Sequence, residues 1–130
     1  MPDADEDAPR VYLVVRADLD MPAAKAAGQA MHAMEGLLER ADRRSQSDSG
    51  VRAALEAYRA DPLRRKIALK AKSLEGMRNA RAAADEAGVP AWTQVDAALT
   101  VFSDETETCF AFGPVRPSEL PKKLARLRLA

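Results

Sequence analysis

An apolar strand pattern that leads directly into a long helical pattern is the feature that most constrains the fold of this chain. Residues 11–15 are Val-Tyr-Leu-Val-Val, without polar alternation, and predict a strand over 10–16 that is buried on both faces. A helical pattern follows over 22–42, and Pro22 suits a first helical position because its missing N–H would be unpaired there. A strand buried on both faces needs helices on each side of its sheet, which favours an α/β fold.

Alternation, helical periodicity and turn residues predict the remaining elements: a helix over 51–60, a strand over 66–71, a helix over 73–87, strands over 91–95 and 108–112, and a final helix over 119–129. Ser118 is the expected cap of the final helix. The predicted order is βααβαββα. We therefore expect a three-layer α/β sandwich, in which helices cover both faces of a mixed four-stranded sheet.

Charge is distributed unevenly along the 130 residues, although the net charge is zero. Four of the 20 acidic residues lie within residues 1–9, which contain no Lys or Arg, so residues 10–130 carry a basic excess of four. Residues 1–9 have too little apolar surface to offset their ordering entropy, and we expect a disordered acidic tail. Residues 10–130 are expected to form one domain, and their basic excess permits a polyanionic partner.

Several classes of protein are disfavoured by composition. No apolar run approaches the roughly 20 residues that span a bilayer, and the first residues do not resemble a secretory signal. Cys109 is the only cysteine, so no intrachain disulfide can form, and we expect a cytoplasmic protein in which Cys109 is a small buried hydrophobe. One histidine and one cysteine fall short of a metal-ligand cluster, and no phosphate-binding glycine loop is present. We therefore expect neither metal nor cofactor.

A polar stripe on the first helix marks the candidate site. Lys25, Gln29 and His32 are spaced i, i+4 and i+7, so they project from one side of the helix at the exit of a buried strand. A lysine near a helix start is disfavoured by the helix dipole, which suggests that Lys25 holds an oxyanion or a phosphate. The alternatives are an ordinary surface lysine and an ordinary helix histidine.

The same segment carries a resemblance to a known family. Residues 14–21, V-V-R-A-D-L-D-M, and the helix after them resemble the signature of the type II peptidyl-tRNA hydrolases. Lys25, Gln29 and His32 fall on the lysine, glutamine and histidine of that signature. A second block is similar in the same order: A-G-V-P at 87–90, D-A-A-L-T at 96–100, T-E-T at 106–108 and G-P at 113–114.

The resemblance implies an enzyme that hydrolyses the ester bond of peptidyl-tRNA, releasing peptide and tRNA. Matched residue by residue, it implies two groups: catalytic Lys25, Asp96 and Thr100, and substrate-binding Gln29, His32, Thr106 and Thr108. It also implies a homodimer, and we expect Met31, Met34 and Leu37 to form an exposed apolar row along the first helix that contributes to it. From the residues alone, Asp96 could equally begin a turn and the threonines could be ordinary strand residues.

This chain departs from the family signature beside the presumed site. G-K-G-K is replaced by P-A-A-K at 22–25, D-A-G-R-T-Q by D-A-A-L-T-V at 96–101, and A-P-G-T by S-D-E-T at 103–106. These changes reduce the basic character on which phosphate binding depends. Two alternatives therefore stay open: a relative that acts on a smaller acyl ester or in acyl transfer, and a binding module without catalysis.

Overall fold

A computed structural model describes residues 5–97 and 104–130. The helices are α1 (Ala23–Ser45), α2 (Ser49–Ala60), α3 (Leu74–Glu86) and α4 (Lys122–Ala125). The strands are β1 (Arg10–Arg16), β2 (Lys66–Ala71), β3 (Ala91–Asp96), β4 (Thr106–Val115) and β5 (Arg128–Leu129). They form one sheet in the order β3-β4-β1-β2-β5, in which only β1 and β2 pair in parallel.

Apolar clusters fill both faces of this sheet. Tyr12 and Phe112 belong to the cluster under α3 and α4, where their rings stack with centroids 4.9 Å apart. Val11 and Leu13 belong to the cluster under α1 and α2, together with the fully buried Leu37. Alternate residues of β1 thus face opposite layers, as the unbroken apolar run predicts. The α/β class with helices on both faces is confirmed.

The number of strands and the final helix were predicted wrongly. The sheet in the described residues has five strands, and the helix expected over 119–129 is limited to α4. Pro121 disfavours helical backbone at the residue before it, and Leu120 is extended, with a ψ of 129°. Ser118 does not cap α4, because its N–H and hydroxyl donate to Asp7. After α4 the chain pairs with the open side of β2, and Ala130 N donates to Ala68 O at 3.0 Å.

Residues 5–9 belong to the segment that was expected to be a disordered tail, and they make specific contacts. The Asp7 carboxylate accepts hydrogen bonds from the Ser118 hydroxyl at 2.6 Å and from its N–H at 2.9 Å, and these bonds lower the pKa of Asp7. Ala8 and Pro9 are buried. Contacts with Arg65 and with the C-terminal part of the chain therefore join residues 5–9 to the domain.

Candidate active site

The predicted polar residues meet at one edge of the sheet. The carboxyl ends of β1, β2 and β3 lie at this edge together with the start of β4, because β1 and β2 are parallel and β4 is antiparallel to both β1 and β3. A 3-10 turn, Ala17–Leu19, leads from β1 to the start of α1. The first turn of α1 therefore lies beside the last residue of β3, and this brings Lys25 to Asp96.

Lys25 and Asp96 form a short, largely buried ion pair. Lys25 Nζ is 2.5 Å from Asp96 Oδ1, and their side chains are only 14% and 7% exposed. The carboxylate offsets the unfavourable field of the helix start on the lysine. Because desolvation cancels much of the Coulomb attraction, a buried pair of this kind contributes little net stability. Its position at the strand ends points to chemistry instead.

Gln29 lies one turn further along α1 and accepts hydrogen bonds from residues of β4. The Thr108 hydroxyl donates to Gln29 Oε1 at 2.7 Å, and both residues are buried. The Cys109 thiol donates to the backbone oxygen of Gln29 at 3.7 Å. These bonds fix the amide of Gln29 beside the ion pair, since Lys25 and Gln29 lie on the same side of α1.

A β-bulge explains how two consecutive residues of β4 reach α1. In the pairing with β3, Gln94 lies opposite Cys109 and Val95 lies opposite Glu107, so Thr108 is the extra residue. Regular alternation would direct Thr108 and Cys109 to opposite faces. The bulge turns both toward Gln29, and the Thr108 hydroxyl also lies 3.3 Å from Gln94 O.

Arg16 belongs to this edge, although the sequence analysis did not select it. Its guanidinium donates to Asp18 at 2.7 and 3.1 Å and to the backbone oxygen of Glu107, next to the bulge, at 3.1 Å. The hydrogen bonds from Arg16 lower the pKa of Asp18. The Glu107 side chain instead pairs with Arg78 of α3. The arginine of V-V-R-A-D-L-D-M was the signal that could have identified Arg16.

A pocket of about 510 Å³ opens at the same edge, on the α3 side. Residues of three strands and of α3 line it, and they include Arg16, Arg78, Val95, Thr106 and Glu107. The Lys25–Asp96 pair lies on the α1 side. The strand ends therefore present polar groups on both faces of the sheet.

Two predicted site residues do not join this buried hydrogen-bonded group. His32 is exposed on α1. The Thr106 hydroxyl donates to Asp104 O at 2.8 Å at the partly buried start of β4. Thr100 lies outside the described residues. Of the seven predicted residues, the structure brings Lys25, Asp96, Gln29 and Thr108 together.

The apolar residues that were expected to form an exposed row on α1 differ in burial. Met31 is 69% exposed, Met34 is partly buried, and Leu37 is fully buried in the core, so the expectation for Leu37 was wrong. Leu37 lies on the same face of α1 as Ala33, against the sheet. Cys109 is a buried hydrophobe as predicted, and burial raises the pKa of its thiol to about 11.

Two kinds of feature are absent from the residues that the structure describes. Residues 5–97 and 104–130 contain no group of three or more His, Cys, Asp or Glu side chains placed to hold a metal ion. In the same ranges, no helix has the length and apolar character needed to cross a membrane.

The fold and the site define a class of protein. A buried lysine–carboxylate pair at the strand ends of a mixed α/β sheet is suited to enzymes that stabilise charge on a reacting carbonyl. Residues 10–130 match the family model described as peptidyl-tRNA hydrolase PTH2. A peptidyl-tRNA hydrolase of Methanopyrus kandleri is 32% identical over 117 residues, which cover 90% of this chain and 94% of that protein. The chain belongs to the PTH2 family of peptidyl-tRNA hydrolases.

Proposed function

We propose that this chain hydrolyses the ester bond of peptidyl-tRNA at the Lys25–Asp96 pair. Membership of the PTH2 family supports the reaction. The observation that carries the assignment to residues is the 2.5 Å contact between Lys25 Nζ and Asp96 Oδ1 at the strand ends. Thr100 stays a predicted member of the site on the basis of the resemblance alone.

The reaction needs three events that these groups can serve. Water attacks the carbonyl carbon of the peptidyl ester, and Asp96 is placed to orient it and to accept its proton. The Lys25 ammonium stabilises the negative charge that develops on the carbonyl oxygen. The bond from the carbonyl carbon to the terminal ribose oxygen then breaks, and that oxygen takes the proton from Asp96. Peptide acid and tRNA are released.

Gln29 and Thr108 support this chemistry by providing a fixed hydrogen-bond donor for the substrate. The Thr108 hydroxyl donates to Gln29 Oε1, which leaves the Gln29 NH₂ group as the donor available to a substrate oxygen. The buried hydrogen bond restrains the rotamer of Gln29, so that this donor keeps one direction. A fixed donor in a shielded site stabilises developing charge better than a mobile one.

The substitution Lys25→Ala tests the assignment. We expect turnover of peptidyl-tRNA to fall about a hundredfold or more, since loss of one charge-stabilising donor costs about that much in comparable sites. Lys72, an exposed lysine beyond β2, provides the control Lys72→Ala, for which we expect wild-type turnover. A folded Lys25→Ala variant with wild-type turnover would refute the assignment. Wild-type protein that cleaves a small acyl ester but not peptidyl-tRNA would favour a relative with a smaller substrate. Binding of tRNA without cleavage would favour a binding module.

A cytoplasmic homodimer is also proposed. Met31 borders an apolar groove of about 400 Å³ between α1 and β2, which a second copy would cover. Symmetric pairing is the commonest soluble assembly. Light scattering of wild type and Met31→Glu tests the dimer: we expect twice the 14.1 kDa chain mass for wild type and a lower mass for the variant. Wild-type protein at the mass of one chain would contradict it.

A further inference from the structure

A groove lined by arginines lies beside the edge strand β3, away from the catalytic pair. Its volume is about 480 Å³, and its lining residues are Arg40, Arg43, Arg44, Asp85, Ala91 and Trp92. Three of these six residues are arginines from the second half of α1. None of them belongs to the site described above.

Arg40 is held in a fixed position in this groove. Its Nη1 donates to Ala91 O at 3.1 Å, and its guanidinium carbon lies 5.1 Å from the centroid of the Trp92 ring. The indole itself is restrained, because its N–H donates to Gln94 Oε1 at 3.3 Å and its ring lies against Gly36. A guanidinium has five N–H donors, so the bond to Ala91 leaves Arg40 able to bind an anion in a preorganised orientation.

The local charge favours an anion. Asp85 pairs with Arg81 at 3.2 Å, and Asp48 lies 3.5 Å from Arg44, so the neighbouring carboxylates already have cationic partners. Within residues 5–97 and 104–130, no carboxylate lies at ion-pair distance from Arg40 or Arg43. Both of these arginines are exposed.

The groove and the catalytic pair lie on the same face of the sheet. Asp96, Gln94 and Trp92 are alternate residues of β3 on the α1 side, while Lys25 and Arg40 belong to the same helix. Fifteen residues of α-helix separate Lys25 from Arg40, which is about 22 Å at roughly 1.5 Å per residue. At roughly 3.4 Å per stacked nucleotide, this is the length of about six nucleotides.

We propose that this groove binds the phosphate backbone of the tRNA stem, several nucleotides from the ester that the Lys25–Asp96 pair cleaves. The inference rests on the proposed function, because the distance is counted from the reacting ester. It also accounts for the reduced basic character near the catalytic pair. Cations on the second half of α1 supply phosphate contacts that the residues around 22–25 no longer provide.

The double substitution Arg40→Gln/Arg43→Gln tests the proposal by binding of unacylated tRNA across a range of salt concentrations. We expect about tenfold weaker binding at low salt, and a salt dependence whose slope falls by about two, one for each lost phosphate contact. The matched control is Lys122→Gln/Lys123→Gln, which removes the same charge from exposed positions of α4 on the opposite face of the sheet. The control is expected to stay within about twofold of wild type, since distant exposed charges are screened.

A second assay separates the groove from the chemistry. For the double variant, kcat/KM on peptidyl-tRNA should fall, while hydrolysis of a minimal substrate, an N-acetylaminoacyl ester of adenosine, should equal that of wild type. Because Arg40→Gln also removes the contact with Trp92, the single substitution Arg43→Glu is measured beside Lys123→Glu. The side chain of Arg43 makes no hydrogen bond or ion pair with the described residues, so its variant should fold normally. We expect weaker tRNA binding for Arg43→Glu than for Lys123→Glu.

Wild-type tRNA affinity in both Arg40→Gln/Arg43→Gln and Arg43→Glu would overturn the proposal. An equal loss of activity on the minimal ester would also overturn it, because the arginines would then act through the catalytic pair. If wild-type protein cleaved neither substrate, the proposed function would fail, and the tRNA-binding measurements alone would test the groove. A salt slope that depends on Arg40 and Arg43 would then support the groove, and one that does not would overturn it.

Discussion

The hydroxyl of Thr108 donates a 2.7 Å hydrogen bond to the side-chain oxygen of Gln29, which lies 79 residues earlier in the chain. Both residues are buried. The bond exists because the bulge in β4 turns Thr108 toward α1. Removing the hydroxyl while keeping the shape of the side chain measures what this bond contributes.

We therefore expect Thr108→Val to lower the free energy of unfolding by about 1–3 kcal/mol, because it leaves a buried amide oxygen without this donor. The control is Thr106→Val, since the Thr106 hydroxyl makes a solvent-exposed bond to Asp104 O at the start of β4. A change within about 0.5 kcal/mol is expected for this control. Urea denaturation measures both. Equal effects of the two substitutions would show that the buried bond has no special role.

The substitution Asp96→Asn preserves shape and removes the negative charge. We expect kcat on peptidyl-tRNA to fall on the order of a hundredfold with little change in KM, because a carboxylate that takes a proton from water acts in the transition state. Glu86→Gln, at an exposed carboxylate of α3 that does not line the groove, is the control and should keep wild-type kcat. Unfolding is measured in parallel, since removal of one partner of a buried pair also destabilises. A raised KM with unchanged kcat would assign Asp96 to substrate binding instead.

Alanine substitutions at two glycines of α1 are expected to have opposite effects on stability. A Cβ at Gly36 would lie 2.5 Å from Cε2 of Trp92, so Gly36→Ala must displace the indole, and we expect a loss of about 1–3 kcal/mol in unfolding free energy. A Cβ at Gly28 meets nothing within 4 Å among the described residues, so Gly28→Ala should stabilise the protein by up to about 1 kcal/mol through helix propensity. Trp92 is the only tryptophan, and its fluorescence should change in the Gly36 variant alone. Similar stability changes in both variants would contradict the close packing of Trp92.

Cys109 predicts a dependence of stability on alkaline pH. Burial raises the pKa of its thiol from 9.0 to about 11, so between these values the unfolded chain has lost a proton that the folded protein keeps. The contribution is fully present below pH 9.0 and is lost as pH rises toward 11. It amounts to as much as about 3 kcal/mol, at about 1.4 kcal/mol per pKa unit.

Denaturation of wild type and Cys109→Ala over this pH range isolates that contribution. We expect the wild-type protein to lose more stability than the variant as pH rises, while other titrating groups affect both equally. Alkylation supplies an independent measurement, since the native thiol should react far more slowly than the thiol in denaturant. Parallel pH profiles together with fast native alkylation would contradict a buried, protonated Cys109.

Local features of the structure were predictable because the atoms involved are close in sequence. Asp48 accepts a hydrogen bond from Val51 N, and Ser73 accepts one from Gly76 N, three residues apart in each case. Both caps follow from polar residues placed before a helical pattern. The shared side of Lys25 and Gln29 has the same origin, since helical spacing alone determines it.

The end of the chain shows where local patterns fail. Basic and apolar residues over 119–129 have a helical pattern, yet Arg128–Leu129 forms β5. A strand of two residues is too short to show alternation, and it forms because β2 has an open side that pairs with it. That partner cannot be identified from the segment itself.

The amino-acid pattern was enough to predict the α/β class, the buried first strand, the first three helices and, through the family signature, a set of candidate site residues. The folded structure was needed to show that Lys25 pairs with Asp96, that Thr108 faces α1 and that His32 is exposed. Helix periodicity and capping act over a few residues, so they can be recognised from the sequence. The contacts of α1 with β3 and β4 join residues that are 71 and 79 positions apart, which no local pattern shows. The single extra residue of the bulge in β4 also changes which side chains reach the site.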